Sequence, residues 1–260
     1  MFANYHTHTA RCHHATGTDE EYVKYAIAEG VKVLGFSDHA PMFYGGGYES
    51  YYKMLPEELP GYIASISRLG RLYADKIELH IGLETEYYPR LWTSSLDFWG
   101  RHGIEYLILG QHFVGEETDV PADPASRPSD DKLRLTKYVN TVIRAIDTGK
   151  ITYVAHPDLL NYTGRDINFY YDEMGRLIDA MASRGMPVEF NLLGMVCRRS
   201  YPRREFFEEV ARRGASVILG CDAHEPERVA DKSELKEAYR TLSALGLNII
   251  EKIKLVNPWK

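Results

Sequence analysis

Histidine, aspartate and glutamate recur along this chain at spacings that suit a metal centre. Four of the ten histidines, His6, His8, His13 and His14, fall within "NYHTHTARCHHATGT", residues 4–18. His6 and His8 are two apart, so on an extended segment their imidazoles share one face and can reach one ion. Farther along come Asp38-His39, Glu84, His112, His156 with Asp158, and Asp222-x-His224. Imidazole and carboxylate donors together suit Zn, Mn or Fe. No single pair among them is specific. Drawing so many ionisable groups into one place without a cation would be costly, and metal ions remove that objection. His80 and His102 stand apart. The first reads as an inward or cross-strand residue, the second as a charge at a helix C-terminus.

Residues 6 to 224 can meet only if the fold carries them there. Short β-rich runs alternate with longer amphipathic ones, the signature of βα units and a parallel sheet. The pattern predicts strands at 2–6, 32–37, 77–84, 105–110, 151–155, 187–191 and 216–220. It predicts helices at about 18–29, 56–74, 91–101, 130–148, 169–184, 202–213 and 233–245. Thr18 and Glu21 have capping-box spacing. Glycines close several helical runs, for example Gly30, Gly149 and Gly214. Seven such units predict an α/β fold, a closed or nearly closed barrel, with a doubly wound open sheet as the alternative. Six of the seven strands run into a candidate ligand at their C-terminal end; the sixth ends in Asn191, followed by Arg198 and Arg199. In parallel barrels the active site lies at that end of the strands.

Composition narrows the function classes. The chain has 260 residues, read as one domain over 1–260, with a net charge of −6 and a pI near 5.9. With no basic run, nucleic acid is not expected as a partner. No stretch approaches the ~18 apolar residues of a membrane span. No signal-peptide pattern is present, and three scattered cysteines, Cys12, Cys197 and Cys221, argue for a reducing cytoplasm. Two loops are long enough to suggest function: 40–56, rich in Gly and Tyr, and 113–130, with three prolines.

The opening "HTHTARCHHATGT" and the pieces "GFSDHAP", "GLETEYYP", "LGQHF", "AHPDL" and "CDAHEP" resemble the motif series of the PHP (polymerase and histidinol phosphatase) superfamily. More narrowly they resemble its histidinol-phosphate phosphatases. The resemblance covers the whole chain. It implies a distorted (β/α)7 barrel holding three divalent metal ions (Zn, Mn or Fe). It implies His6, His8, Glu84 and Asp222 on the first ion, with Glu84 bridging to a second completed by His112 and His156. His14, His39 and His224 would hold the third. His14 matches the third-ion position better than His13. Asp38 would orient a ligand imidazole from behind.

With neutral imidazoles, such a centre keeps a charge of about +4 after Glu84 and Asp222 are counted, which suits a phosphate monoester. The expected chemistry is in-line attack by a hydroxide bridging two metals. Arg165 and Arg198 are candidates to hold phosphate oxygens, with Arg199 and Arg11 as alternatives. The leaving group's proton could come from Asp222, Asp158 or a metal-bound water. The substrate that the resemblance implies is L-histidinol phosphate, a step of histidine biosynthesis. The 40–56 tyrosines could grip its imidazole, and Glu49 or Asp158 its amine. Rival readings are a PHP enzyme on another phosphate monoester, a nucleotide phosphodiesterase or exonuclease, an amidohydrolase, and a metal-binding protein without turnover.

Overall fold

A computed structural model describes residues 1–260. Seven strands form one all-parallel sheet in chain order: β1 (Ala3–Asn4), β2 (Val33–His39), β3 (Glu78–Thr85), β4 (Tyr106–Leu109), β5 (Tyr153–Val154), β6 (Val188–Asn191) and β7 (Val217–Gly220). Neighbours in sequence are neighbours in space throughout, with no point where the order reverses. That excludes the doubly wound alternative. The sheet curls into a nearly closed, distorted (β/α)7 barrel. Its last gap is bridged at the site itself: Thr7 pairs with Ala223, and the His8 N–H donates to the Ala223 carbonyl at 3.0 Å.

β1 is shorter than its apolar run because of the side chain of Asn4. After Asn4 a side chain takes over the ladder's work. Asn4 Oδ1 accepts from the N–H of His6 at 3.2 Å and of Cys221 at 3.1 Å, and Nδ2 donates to Thr7 Oγ1 at 2.7 Å. The chain leaves the sheet there and turns His6 and His8 into the barrel mouth.

Eight helices surround the sheet: α1 (Asp19–Ala28), α2 (Leu59–Leu72), α3 (Trp92–Gly100), α4 (Lys132–Asp147), α5 (Ile167–Ser183), α6 (Leu192–Val196), α7 (Arg204–Arg212) and α8 (Lys232–Ala244). Seven answer to the periodic runs. The Thr18–Glu21 capping box forms at α1, and Gly30 behind it takes φ 81°. α4 shows why these helices form: Leu135, Tyr138, Val139, Val142 and Ile146 recur at three- and four-residue spacing and are all buried. α6 was not foreseen, because five residues carry no periodicity.

The apolar residues separate into two cores. A large one lies between sheet and helices. A small one fills the barrel interior with Ala3, Tyr5, Val33, Tyr106, Ile108, Tyr153, Ala155 and Ile218, against which Ile250, Ile253 and Leu255 of the tail pack. Tyr106 crosses this interior and donates to the carbonyls of Tyr5 and Phe36 at 2.9 and 3.1 Å. A Cβ at residue 82 would lie 2.4 Å from its ring, so β3 needs Gly82 there. No helix is long and apolar enough to cross a membrane.

Candidate metal centre

The mouth of the barrel collects side chains from six strand ends around the carboxylate of Glu84, which is 2 % exposed. Glu84 Oε1 is 3.0 Å from His156 Nε2, 3.6 Å from His6 Nε2 and 3.9 Å from His112 Nε2. Its Oε2 is 3.0 Å from His39 Nδ1 and 3.5 Å from His8 Nε2. Asp222 Oδ1 is the second hub, 3.1 Å from His8 Nε2, 3.4 Å from His6 Nε2 and 3.5 Å from His224 Nδ1. His14 completes the group, its ring 4.5 Å from that of His224 and 5.5 Å from that of His39. His13, its neighbour, points instead toward Glu58 at 3.6 Å. All nine residues that the motifs single out therefore stand together, and Glu84 reaches several imidazoles at once.

What stands behind the imidazoles decides which nitrogen faces inward. Glu189 Oε2 lies 2.9 Å from His6 Nδ1, and Asp38 Oδ1 lies 3.4 Å from His8 Nδ1. Glu86 Oε1 is 3.2 Å from His112 Nδ1, and the carbonyl of Cys12 is 2.7 Å from His14 Nδ1. At His6, His8 and His14 a carboxylate or carbonyl at Nδ1 holds the proton there and frees Nε2 as a donor toward the centre, whereas His112 Nδ1 makes no hydrogen bond to the nearby Glu86. The inward atoms are left without partners: His6 Nε2, His8 Nε2, His224 Nε2 and Glu84 Oε2 are buried and accept or donate no hydrogen bond. Buried polar atoms normally find partners. Orphaned nitrogen and oxygen atoms facing one another are the donor set a divalent cation takes. Three-residue sets such as His6–His8–Glu84, His6–His156–Asp222 and His8–His39–His224 each have their donor atoms within 4.8 Å of one another.

The electrostatics agree. Burial alone would raise the acids, yet the imidazoles around them hold Glu84 and Asp222 well below the usual carboxylate range. Burial alone would lower His6, yet the charges of Glu189, Asp222 and Glu84 raise it well above the ordinary imidazole value. Burial pushes His39 well down, and His224 down to about 3, with the neighbouring His8 adding to both. Divalent ions held by these imidazoles would balance the same carboxylates.

Backbone and small residues shape the centre too. A Cβ at Gly110, the residue after β4, would lie 1.8 Å from Glu84 Oε1, so glycine makes room for the shared carboxylate. His156 and Asp222 take left-handed φ of 31° and 50°, strain of the kind found at functional sites. Asn191 caps α6 through Oδ1, with Gly194 N–H at 2.8 Å, while its Nδ2 donates to Glu189 at 2.9 Å and Asp222 Oδ2 at 3.1 Å. Glu189, Glu86, Asn191 and Cys12 were not among the residues the sequence pattern assigned to the centre. The available signal for Glu189 was a lone carboxylate inside the apolar run "PVEFN".

A model of the PHP domain matches residues 4–192. The chain belongs to the PHP domain family. It is 31 % identical over 229 residues to a "Probable histidinol-phosphatase" of Deinococcus radiodurans, with 86 % of each chain covered. It is 22 % identical over 251 residues to the histidinol-phosphatase of Bacillus subtilis, covering 85 % of this chain and 92 % of that one. Its fold is similar to the histidinol phosphate phosphatase HisK of Lactococcus lactis, a structure with zinc, L-histidinol and phosphate, at a TM-score of 0.73 and 19 % identity, with 99 % and 97 % of the chains covered.

In this PHP domain the centre opens into a cavity of about 850 Å³ lined by His14, His39, Tyr52, His112, Arg199 and Asp222 among others. Two sequence-based candidates lie off its wall. Arg198 does not line it. α6 ends in a Schellman motif: the Arg198 N–H donates to the Met195 carbonyl at 3.2 Å and the Arg199 N–H to the Gly194 carbonyl at 2.9 Å. Arg198 takes the left-handed position, φ 51°, and lines a separate cavity of about 410 Å³ beside α8, while Arg199 lines both. Arg165 is exposed in the segment before α5 and does not line the central cavity, to which that segment contributes Asn161. Arg11 is held in a two-pronged pair with Asp19 at 2.9 and 3.0 Å.

Asp158 lies outside the cavity wall as well. Burial raises its carboxyl to about 7, and its Oδ2 accepts from the Arg203 N–H at 2.5 Å. Glu49 is exposed and lines a different depression with Tyr44 and Tyr48, whereas Tyr51 and Tyr52 reach the central cavity. His80, read as inward or cross-strand, is partly exposed between Glu105 at 2.6 Å and Glu78 at 2.8 Å. His102 Nδ1 donates to the Phe98 carbonyl at the end of α3, at 2.8 Å.

Proposed function

We propose that this chain is a metal-dependent phosphatase that hydrolyses L-histidinol phosphate to L-histidinol and phosphate. The observation that carries the chemistry is the set of buried, unpartnered His Nε2 and Glu84 oxygen atoms converging at the floor of a cavity wide enough for a small monoester. The relatives named above support the substrate. Divalent ions held by His6, His8, Glu84 and Asp222, by Glu84, His112 and His156, and by His14, His39 and His224 would supply positive charge for phosphoryl oxygens and a water of lowered pKa.

The chain's own residues divide the remaining work. Glu84 faces five imidazoles and serves as the shared carboxylate. Asp222 lies at the cavity wall. Glu189 stands behind His6 and Asp38 behind His8, and together they lower the centre's excess charge by two units, to about +2, still suited to a phosphate dianion. Arg199, with its guanidinium 2.8 Å from the Tyr201 hydroxyl, is placed to hold a phosphate oxygen, the role the sequence offered to Arg165 and Arg198.

The test is phosphate release from L-histidinol phosphate by protein loaded with Zn or Mn, beside a panel of other monoesters and a nucleic-acid 3′ end. Wild-type turnover on histidinol phosphate with at least a hundredfold loss in Glu84→Ala is expected. Equal rates in the two proteins overturn the shared-carboxylate role, and turnover only on another ester replaces the substrate.

A further inference from the structure

The two long loops meet over one buried cation. Lys53, in the 40–56 loop, is 2 % exposed. Its ammonium pairs with Glu86, just past β3, and with Glu117, in the 113–130 loop. It also donates to the hydroxyls of Tyr44 and Tyr52 at 2.7 and 2.8 Å and sits 4.5 Å from the Tyr52 ring centroid. Tyr44 and Tyr48 donate in turn to Glu117 at 2.6 and 2.9 Å, and Tyr88 donates to Glu86. Three separate segments of chain are thus joined through one ammonium and two carboxylates.

A buried ion pair adds little net stability, because desolvation offsets most of its Coulomb gain; its better-attested use is to fix one arrangement. Here two things are fixed. Glu86 Oε1 accepts from the His112 backbone N–H at 3.1 Å and stands behind its ring nitrogen. Tyr52 is held with its ring edge-on to His39 and His112, at 5.1 and 5.9 Å, on the cavity wall. Neither Lys53, Glu86 nor Glu117 lines the cavity. They act through what they hold.

We propose that Lys53, Glu86 and Glu117 form a clasp that sets Tyr52 and the 40–56 loop as the wall contacting the imidazole-bearing end of the substrate, in register with the metal-side imidazole of His112. The inference rests on the histidinol phosphate reading for the identity of that end. An aromatic ring held rigidly edge-on to the centre can stack on or abut a substrate imidazole at little entropic cost. Loss of the Glu117 arm frees the loop while Glu86 keeps Lys53 and the His112 N–H, so the phosphate end is spared and the ring end weakens. Lys53, Glu86 and Glu117 are positioning residues.

The experiment separates the two ends with the reaction's products. Calorimetric titrations of metal-loaded wild type and Glu117→Gln with L-histidinol and, separately, with inorganic phosphate are compared with kcat and KM for the ester and with amide exchange in residues 40–56. Expected for Glu117→Gln are a roughly tenfold weaker Kd for L-histidinol and a similar rise in KM. The phosphate Kd, the metal content and kcat stay within about twofold, and amide exchange in 40–56 quickens while the barrel strands do not change. Tyr48→Phe, which removes one hydrogen bond to Glu117, gives the same pattern at smaller size and serves if Glu117→Gln does not fold. Equal weakening of both ligands, or unchanged L-histidinol binding and exchange, overturns the clasp. If the wild type neither binds L-histidinol nor hydrolyses its phosphate, the substrate reading fails, and exchange in 40–56 still decides whether the clasp holds the loop.

Discussion

Replacing Gly110 by alanine tests the shared carboxylate without substituting any proposed ligand. The φ of Gly110 is not in the left-handed region, so alanine adds no backbone strain. The cost is steric. The new Cβ would fall 1.8 Å from Glu84 Oε1 and 2.5 Å from its Cδ. An unstrained C···O approach is about 3.3 Å, so the carboxylate must retreat by about 1.5 Å. Its backbone cannot follow, because Glu84 is paired with His39 on one side and Ile108 on the other. Metal–oxygen distances near 2.1 Å tolerate shifts of about 0.2 Å. The displacement exceeds that several times over, and Glu84 drops out as a common ligand. Misplacement on this scale costs about a hundredfold, or about 2.7 kcal/mol of transition-state stabilisation. The assay is kcat/KM on L-histidinol phosphate, with metal content by elemental analysis and the fold checked by circular dichroism. Gly61→Ala in α2, where a Cβ meets nothing within 4 Å, is the control and should gain about 0.5–1 kcal/mol of stability. Wild-type metal content and rate in Gly110→Ala would refute the argument.

Other expectations follow from single contacts. Glu189→Gln removes the charge behind His6 Nδ1 and should weaken metal affinity about 10- to 100-fold; competition with a chelator measures it, and an unchanged affinity removes Glu189 from the centre. Arg199→Ala should raise KM severalfold at constant metal content, while Arg198→Gly, which relieves a left-handed residue on the far side of α6, should leave KM alone and keep or raise Tm; the opposite pattern restores Arg198 to the site. His80 is raised above the ordinary imidazole pKa, chiefly by its hydrogen bond to Glu105 and against partial burial. A folded pKa above the unfolded one gives stability that is complete below about pH 6.5 and is lost as pH rises through the folded value. His80→Gln should therefore lower the urea midpoint at about pH 6 and change it little at about pH 9; a deficit that is equal at both values refutes the assignment.

The elements were readable in the sequence because their causes are local. Periods of two and 3.6 residues, the Thr18 box and the glycines after helices each act within one turn. The candidate ligands were readable for a related reason. A parallel barrel brings every strand's C-terminal end to one mouth, so His6, His39, Glu84, His112, His156 and Asp222 needed only correct strand ends to be grouped. The misplacement of Arg198 came from five residues. "LLGMV" forms a single helical turn and a half with no pattern to announce it, and its Schellman end turns Arg198 away and Arg199 inward. Likewise the break of β1 after Asn4 depends on a hydrogen bond to Cys221, more than two hundred residues away.

The amino-acid sequence by itself determined the seven βα units and the strand ends that carry eight of the nine converging side chains, since short-range patterns encode both; His14 rested on the family resemblance. Only the tertiary structure decided which nitrogen of each imidazole faces the centre, that Glu189 and Glu86 stand behind His6 and His112, that Gly110 clears space for Glu84, and that Lys53 ties two loops together. The contacts of Glu189, Glu86, Gly110 and Lys53 join residues 26 to 183 positions apart. Buried charges and hydrogen bonds answer to distance in space, on which position along the chain has no direct hold.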